Sequence, residues 1–461
     1  MKKAFIILIV LIVSVTSILA SKPVSLSFGV DYDSVTDVNG DTINLLGVNV
    51  TPDFVFGKWG IGLSVPLRFA LGGSESFKFY QEDYIPEIDE DDNLLTKANK
   101  YFELYVPLFN YVSYGQKGEN IYAIIGKVED FTIGTGMFVN HYSNKRLLPQ
   151  TKISGLEVDL DGSLFGFPYV GLETFTSDIV NFNIIGGRFY VKPFAFLTIP
   201  VISTIQIGTS YVTDRNINQH EMYQASTLEE GEVAVVPDEM PKMYGADILI
   251  PVINSDFFAF ESYLDLGYQQ LTSEAESLSD AARVGFKGHL LSILHYQVDV
   301  TKPLSNDLYS PEYFSRNYDR DPAVSYENSM SMDDYFLNGR ADFSLLEDKI
   351  VFGAQLTGNV VSNAGSYGIE DPSLYANFKV GEGLIPNFAL EAYYKKYDID
   401  GSNLDSFFKD FITLNKNSEI EALITFKYGV VKTTMGYVIE FDENGESSST
   451  ATQVGASISV F

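Results

Sequence analysis

Hydrophobic and polar residues alternate singly along most of this chain. In FAFESYLDLGY, Phe258, Phe260, Leu264, Leu266 and Tyr268 share one parity, and Glu261, Asp265 and Gly267 share the other. Successive side chains of a strand point to opposite faces, so a period of two predicts a strand with one apolar and one polar face. YFLNGRADFSLL reads the same way, with Tyr335, Leu337, Ala341, Phe343 and Leu345 against Asn338, Arg340, Asp342 and Ser344. So does NFALEAYYKKY, where Phe388, Leu390, Ala392 and Tyr394 oppose Glu391 and Lys395. In EIEALITFKY, Ile420, Ala422, Ile424, Phe426 and Tyr428 oppose Glu419, Glu421, Thr425 and Lys427.

Short turn signals and long polar stretches punctuate these runs. Tight turns are predicted at Gly57 to Gly60 and at GQKGEN, DLDG, INSD, LLED and GEGLIP; long polar loops are predicted at 74–100, 214–242, 305–333, 401–417 and 442–449. A soluble sandwich also alternates, but its inner face is a shared apolar core. Here the polar face is repeatedly charged, as a wet interior requires. The pattern therefore predicts an all-β fold: a single transmembrane antiparallel β-barrel with long acidic outer loops and tight periplasmic turns. Alternating segments number about 21, whereas both termini on one side demand an even count. The odd segment is Phe131 to Val139, glycine-interrupted and leading into Lys145 and Arg146. Removing it puts the long loops on one side and leaves about 20 spans (18–22), with 129–150 expected as a loop folded into the lumen. Aromatic residues near segment ends, such as Tyr101, Phe102, Tyr105, Tyr393, Tyr394 and Tyr397, suit interfacial girdles or plain β-propensity.

Composition agrees. The 461 residues hold 34 Phe and 29 Tyr against one Trp, with 37 Gly, which suits many half-exposed strands. Lys2 and Lys3 precede the apolar run AFIILIVLIV and a small-residue region ending at Ala20. This predicts a cleaved signal peptide over 1–20 and a mature barrel over 21–461, because the run is too short to span a bilayer. The chain has no cysteine, which excludes a lipidated amino terminus, disulfides and thiolate metal sites. The formal charge of −30 argues against nucleic acid as a partner and fits a surface that meets cations.

Several phrases resemble those of outer-membrane β-barrel, porin-like proteins of diderm bacteria: IIGKVEDFTIGTGMFVNHYSN, GRFYVKP and PEYFSRNYDR. The resemblance implies a pore-like surface protein. Such barrels often end in an aromatic residue with apolar residues two, four and six positions before it. Phe461 supplies the aromatic, but Ser459, Ser457 and Gly455 occupy the other places, and Val460, Ile458, Ala456 and Val454 lie one step out. A one-residue shift exchanges faces, so the final strand departs from the assembly signal while remaining the expected contact for the barrel-assembly machinery.

No active site is legible. His141, His220, His289 and His295 lack metal-ligand spacing, and His295 with Gln297 and Asp299 reads as lumen lining. DVNGD at 37–41 starts like a calcium loop, but Thr42 and Val48 stand at its sixth and twelfth places, so it reads as a hairpin tip. Gly186 and Gly187 read as a bend or bulge. The carboxylates of 74–100 read as a solvated loop, with a divalent-ion bridge as the alternative. No cofactor, metal or enzymatic activity is expected.

The expected function is a passive, cation-preferring pore for small hydrophilic solutes or ions, set in outer-membrane lipid. Pore-lining candidates are Glu261, Asp265, Arg340, Asp342, Glu391, Lys395, Glu419 and Glu421, in which carboxylates outnumber bases. Constriction-loop candidates are Phe131, His141, Lys145 and Arg146. The alternative is a blocked structural or adhesive surface barrel that binds through its acidic outer loops; a barrel enzyme acting on lipid is a third reading.

Overall fold

A computed structural model describes residues 24–36, 42–71, 78–79, 85–86, 88–89, 91–128, 131–144, 153–216, 240–255, 257–271, 279–291, 293–305, 309–314, 334–346, 349–363, 366–400, 403–428 and 431–459. The predicted signal peptide, the DVNGD segment, Lys145, Arg146, His220 and Phe461 lie outside them.

Among the described residues the strands are β1 (Val24–Thr36), β2 (Thr42–Phe56), β3 (Trp59–Leu63), β4 (Val65–Leu71), β5 (Lys78–Phe79), β6 (Phe109–Tyr114), β7 (Ile121–Gly126) and β8 (Gly155–Asp161). Then follow β9 (Val170–Thr176), β10 (Ile184–Val191), β11 (Gln206–Asp214), β12 (Lys242–Asn254), β13 (Phe258–Gln270), β14 (Ser279–Leu290) and β15 (Leu294–Pro303). The chain continues through β16 (Tyr335–Leu345), β17 (Ile350–Asn363), β18 (Ser366–Ile385), β19 (Phe388–Lys396), β20 (Ser418–Tyr428), β21 (Val431–Phe441) and β22 (Ser447–Ser459). All belong to one sheet. Its strand pairings are antiparallel, as short connections dictate. β3 and β4 both pair with β2 and are one strand interrupted at Ser64, and β5 is a two-residue spur on β4. Setting the spur aside and joining β3 to β4 leaves 20 strands, the expected number. The Phe131 to Val139 segment is not among them; it makes only isolated bridges.

Pairing follows chain order, and β1 pairs in turn with β22 from Ser27↔Ser459 to Val30↔Ala456. Strands β12 to β17 run 10 to 14 residues, near the length a tilted strand needs to cross a bilayer. β6 to β9 are shorter, at six or seven residues. Connections at one end are tight. Gly57, Leu291, Leu346 and Asn387 supply the positive φ that such turns require, at 62°, 57°, 56° and 63°.

Four expectations are corrected. The polar stretches 74–100 and 401–417 are not wholly loop. Helix α1 (Leu94–Tyr105) starts in the first, where Asn93 Oδ1 accepts from Thr96 N–H, and carries Tyr101, Phe102 and Tyr105; Tyr101 and Tyr105 stack one turn apart at 6.0 Å. Helix α2 (Leu404–Phe411) lies in the second, capped by Asn403. GEGLIP is not the turn: β18 continues to Ile385, past a register shift after Val380. The 442–449 connection is short because the Asp442 carboxylate accepts from the N–H groups of Asn444 and Glu446 and β22 starts at Ser447. Gly186 and Gly187 sit in an unbroken register with both neighbours, so they are no bulge.

Candidate functional site

The two faces of the sheet are the reverse of a soluble protein's. In β13, Leu264 and Leu266 are exposed while Asp265 between them is 1 % exposed. In β14, Val284 is 60 % exposed beside Arg283 at 1 %. Arg188, Asp247, Asp299, Asn338 and Lys395 are likewise buried, and Phe189, Ile248, Phe343, Phe352 and Phe426 exposed. Burying unpaired charge is costly; Arg188 meets Glu173 and Asp247, Arg283 meets Asp265 and Lys395 meets Glu419 and Glu421, while Asp299 takes neutral donors.

Two connecting segments supply much of that pairing. Residues 131–144, between β7 and β8, and 309–314, between β15 and β16, lie against each other: Phe314 N–H donates to Phe138 carbonyl at 2.9 Å and Asn140 N–H to Phe314 carbonyl at 3.2 Å. Phe131, Ile133, Met137, Phe138, Val139, Tyr309 and Phe314 form a buried apolar cluster with Phe175, Val212 and Met243 from the strands. Small wall residues make room. A side-chain carbon at Gly245 would meet the Phe138 ring at 2.7 Å, one at Gly267 the Met137 methyl at 2.5 Å, and one at Gly186 the Ile133 methyl at 3.0 Å. At Gly186 the Phe175 ring of β9 is closer still, at 2.8 Å.

Polar contacts fix the segments in place. Glu173 of β9 accepts from Gly134 N–H at 2.8 Å and from Arg188 at 2.9 Å, and Arg188 also holds Asp247 of β12. Arg283 of β14 donates to Asp265 and to Thr135 Oγ1, both at 2.8 Å, and Thr135 donates in turn to Asp265. Gln269 of β13 closes a pair of bonds with the backbone of Ser310, at 2.6 and 2.9 Å. Glu312, at φ 50°, accepts from Asn140 at 2.9 Å and from Asn338 of β16 at 2.8 Å. Asn338 donates also to Asp299, which takes a further bond from Tyr263. Burial, and then the nearby Asp299 charge, push the Glu312 carboxyl up to about 8.

The candidate residues fall into three groups. Glu261 and Asp265 share the buried-face parity of β13, but Asp265 is sealed beneath Thr135. Arg340 and Asp342 pair with each other at 2.5 Å. Glu391 meets Lys379 at 3.3 Å, and Lys395 is shared by Glu419 at 2.5 Å and Glu421 at 3.2 Å. Of the constriction candidates, Phe131 packs on Phe175 at 4.5 Å, and His141 takes φ 53° with its N–H on Thr132 Oγ1. His289 and His295 prove to be register partners with rings 5.7 Å apart, and no group of three or more metal-ligating side chains occurs among the described residues.

Sequence reading missed Arg188, Arg283, Asp247, Glu312 and the whole 309–314 segment. One signal was available: glycines on the charged parity of successive strands, at 208, 245 and 267, mark a wall cleared for something to pack against.

No family model matches the chain, and no curated protein matches it. Solved structures to which it is similar include OccK5 (OpdH) of Pseudomonas aeruginosa, at 9 % identity over 95 % of this chain and 98 % of that one, with a TM-score of 0.36. OccAB2 of Acinetobacter baumannii is 11 % identical over 95 % and 97 %, with a TM-score of 0.35. The outer membrane protein opdK of P. aeruginosa is 10 % identical over 95 % and 98 %, with a TM-score of 0.34.

Proposed function

We propose that the sheet is a closed barrel in an outer membrane and conducts small hydrophilic solutes, with a preference for cations. The observation that carries this reading is the inversion of its faces: paired charges are buried on one, while large apolar side chains are exposed on the other. Lipid against the apolar face removes its contact with water, which is worth about 25 cal/mol per Å², and a closed sheet leaves no unpaired edge in the bilayer. The reading includes export by a signal peptide over 1–20, insertion through the C-terminal strand by the assembly machinery, and a position inside the lumen for 129–150.

Charge selection follows from carboxylates outnumbering bases on the charged parity of β18 to β20. Lys379 faces Glu391, and Lys395 is outnumbered by Glu419 and Glu421. Carboxylates in a low-dielectric passage attract cations. Single-channel recording in planar bilayers under a salt gradient tests this: a reversal potential of cation-selective sign is expected, reduced by Glu419→Gln with Glu421→Gln. An anion-selective sign refutes the selectivity.

The blocked surface barrel is the second reading, favoured by the interior packing of 131–144 and 309–314. It requires no conductance in the same recordings, and loss of surface attachment on deleting 74–100.

A further inference from the structure

Helix α2 and the connection around it do not fold over the charged face. On β19, Glu391 and Lys395 belong to the charged parity, so Phe388, Leu390, Ala392, Tyr394 and Lys396 belong to the apolar one; Phe388 meets the exposed Phe426 ring there at 5.6 Å. Near the loop end of β19 the connection turns back onto that same apolar face. Tyr394 donates its hydroxyl to Phe411 carbonyl at 2.6 Å, and its ring meets the Phe411 ring at 5.4 Å. Lys396 has no exposed surface: its ammonium donates to Thr413 carbonyl at 2.9 Å, Asn415 Oδ1 at 2.6 Å and Ser418 Oγ at 3.2 Å, with Asp410 at 3.6 Å. A charged strand residue on the apolar side is thus consumed in clamping the connection against the outside of the wall.

The clamp leaves the helix divided. Phe411 is spent against Tyr394, while Phe408 and Ile412, one turn apart, stand 60 % and 74 % exposed. Asp405 and Lys409, also one turn apart, form the neighbouring polar edge. Through Phe411 the helix is fixed to Tyr394, so the exposed pair stands on the apolar side of the wall. We propose that α2 is an interfacial anchor: Phe408 and Ile412 enter the outer leaflet at the boundary of acyl chains and headgroups, with Asp405 and Lys409 in the headgroup layer. The occupant is lipid, because the connection is clamped to the apolar parity of β19, the side that lipid covers on the barrel reading, and charged side chains border the pair. The proposal rests on the barrel reading above.

The single tryptophan makes it testable. In a Trp59→Phe background, Phe408→Trp and, separately, Val284→Trp are reconstituted in phosphatidylcholine vesicles whose acyl chains are brominated either near the glycerol or near the chain end. Both tryptophans are expected to lose emission, that at 408 more with bromine near the glycerol. Quenching at 284 but not at 408 overturns the proposal and leaves the barrel standing; quenching at neither position overturns the barrel itself. Quenching at 408 that appears only when protein is diluted in lipid assigns the face to a second copy of the chain and also overturns the proposal. Ile412→Trp repeats the measurement if the first variant does not fold.

Discussion

The wall from β8 to β17 and the wall from β18 to β22 solve one problem in two ways. Both place charges on the same face of the sheet. In the first, Arg188, Arg283, Asp265 and Asp299 lose nearly all contact with solvent because 131–144 and 309–314 pack over them. In the second, Lys379 and Glu391 stay substantially exposed, and Lys395, though buried, is held by Glu419 and Glu421 of the neighbouring strand and not by a packed segment. A buried pair whose partner is removed leaves an uncompensated charge, whereas an exposed pair contributes about 0–1 kcal/mol. Mutation in the first region therefore acts on architecture, and the exposed pair in the second is expected to contribute little to it.

The sharpest way to break this contrast is Arg283→Met, which strands Asp265 and Thr135 under the packed segment. It is expected to lower stability by about 3–5 kcal/mol, read as a drop in the denaturant midpoint, while Lys379→Met changes it by less than about 1 kcal/mol. Next is Gly267→Val, which drives a branched side chain into Met137 and the Tyr309 hydroxyl. A cost of about 1–3 kcal/mol is expected; Gly339→Ala, where nothing lies within 4 Å, should leave the midpoint unchanged.

Glu312 sharpens the comparison through pH. Its folded value of about 8 lies above the ordinary carboxyl value of 4.5, so the folded state holds a proton that the unfolded chain releases. Stability from this group is complete below about pH 4.5 and is lost as pH rises to about 8. Glu312→Gln should remove this part of the pH dependence, so that unfolding curves across the window lose the fall in stability toward alkaline pH. The smallest effect is at Leu346, whose φ of 56° disfavours a side chain. Leu346→Gly should raise stability by about 1 kcal/mol, measurable in the same assay.

Much of this was legible in the sequence because the strand period is local. FAFESYLDLGY shows its two faces without reference to any neighbour, and strand parity together with the glycine interruption excluded Phe131 to Val139 from the strands. The pairing of Arg283 with Asp265 was not legible, since it depends on which strand lies beside which and on a third residue, Thr135, arriving from 130 positions away. Helix α2 was hidden for a different reason. In SNLDSFFKDF the polar residues suggest a loop, and the helix becomes visible only once Asn403 is known to cap it and Tyr394 and Lys396 to receive it.

The pairing of β1 with β22 carries a consequence for the order of assembly. Every other neighbour is reached through a connection of at most a few tens of residues, so the sheet can zip from hairpin to hairpin. Ser27 and Ser459 lie more than four hundred residues apart in the chain, and the seam contains four residue pairs. Until that seam forms, the growing sheet has two bare edges able to recruit any other strand. On the closed-barrel reading proposed above, this four-pair seam is therefore the last part of the sheet to form.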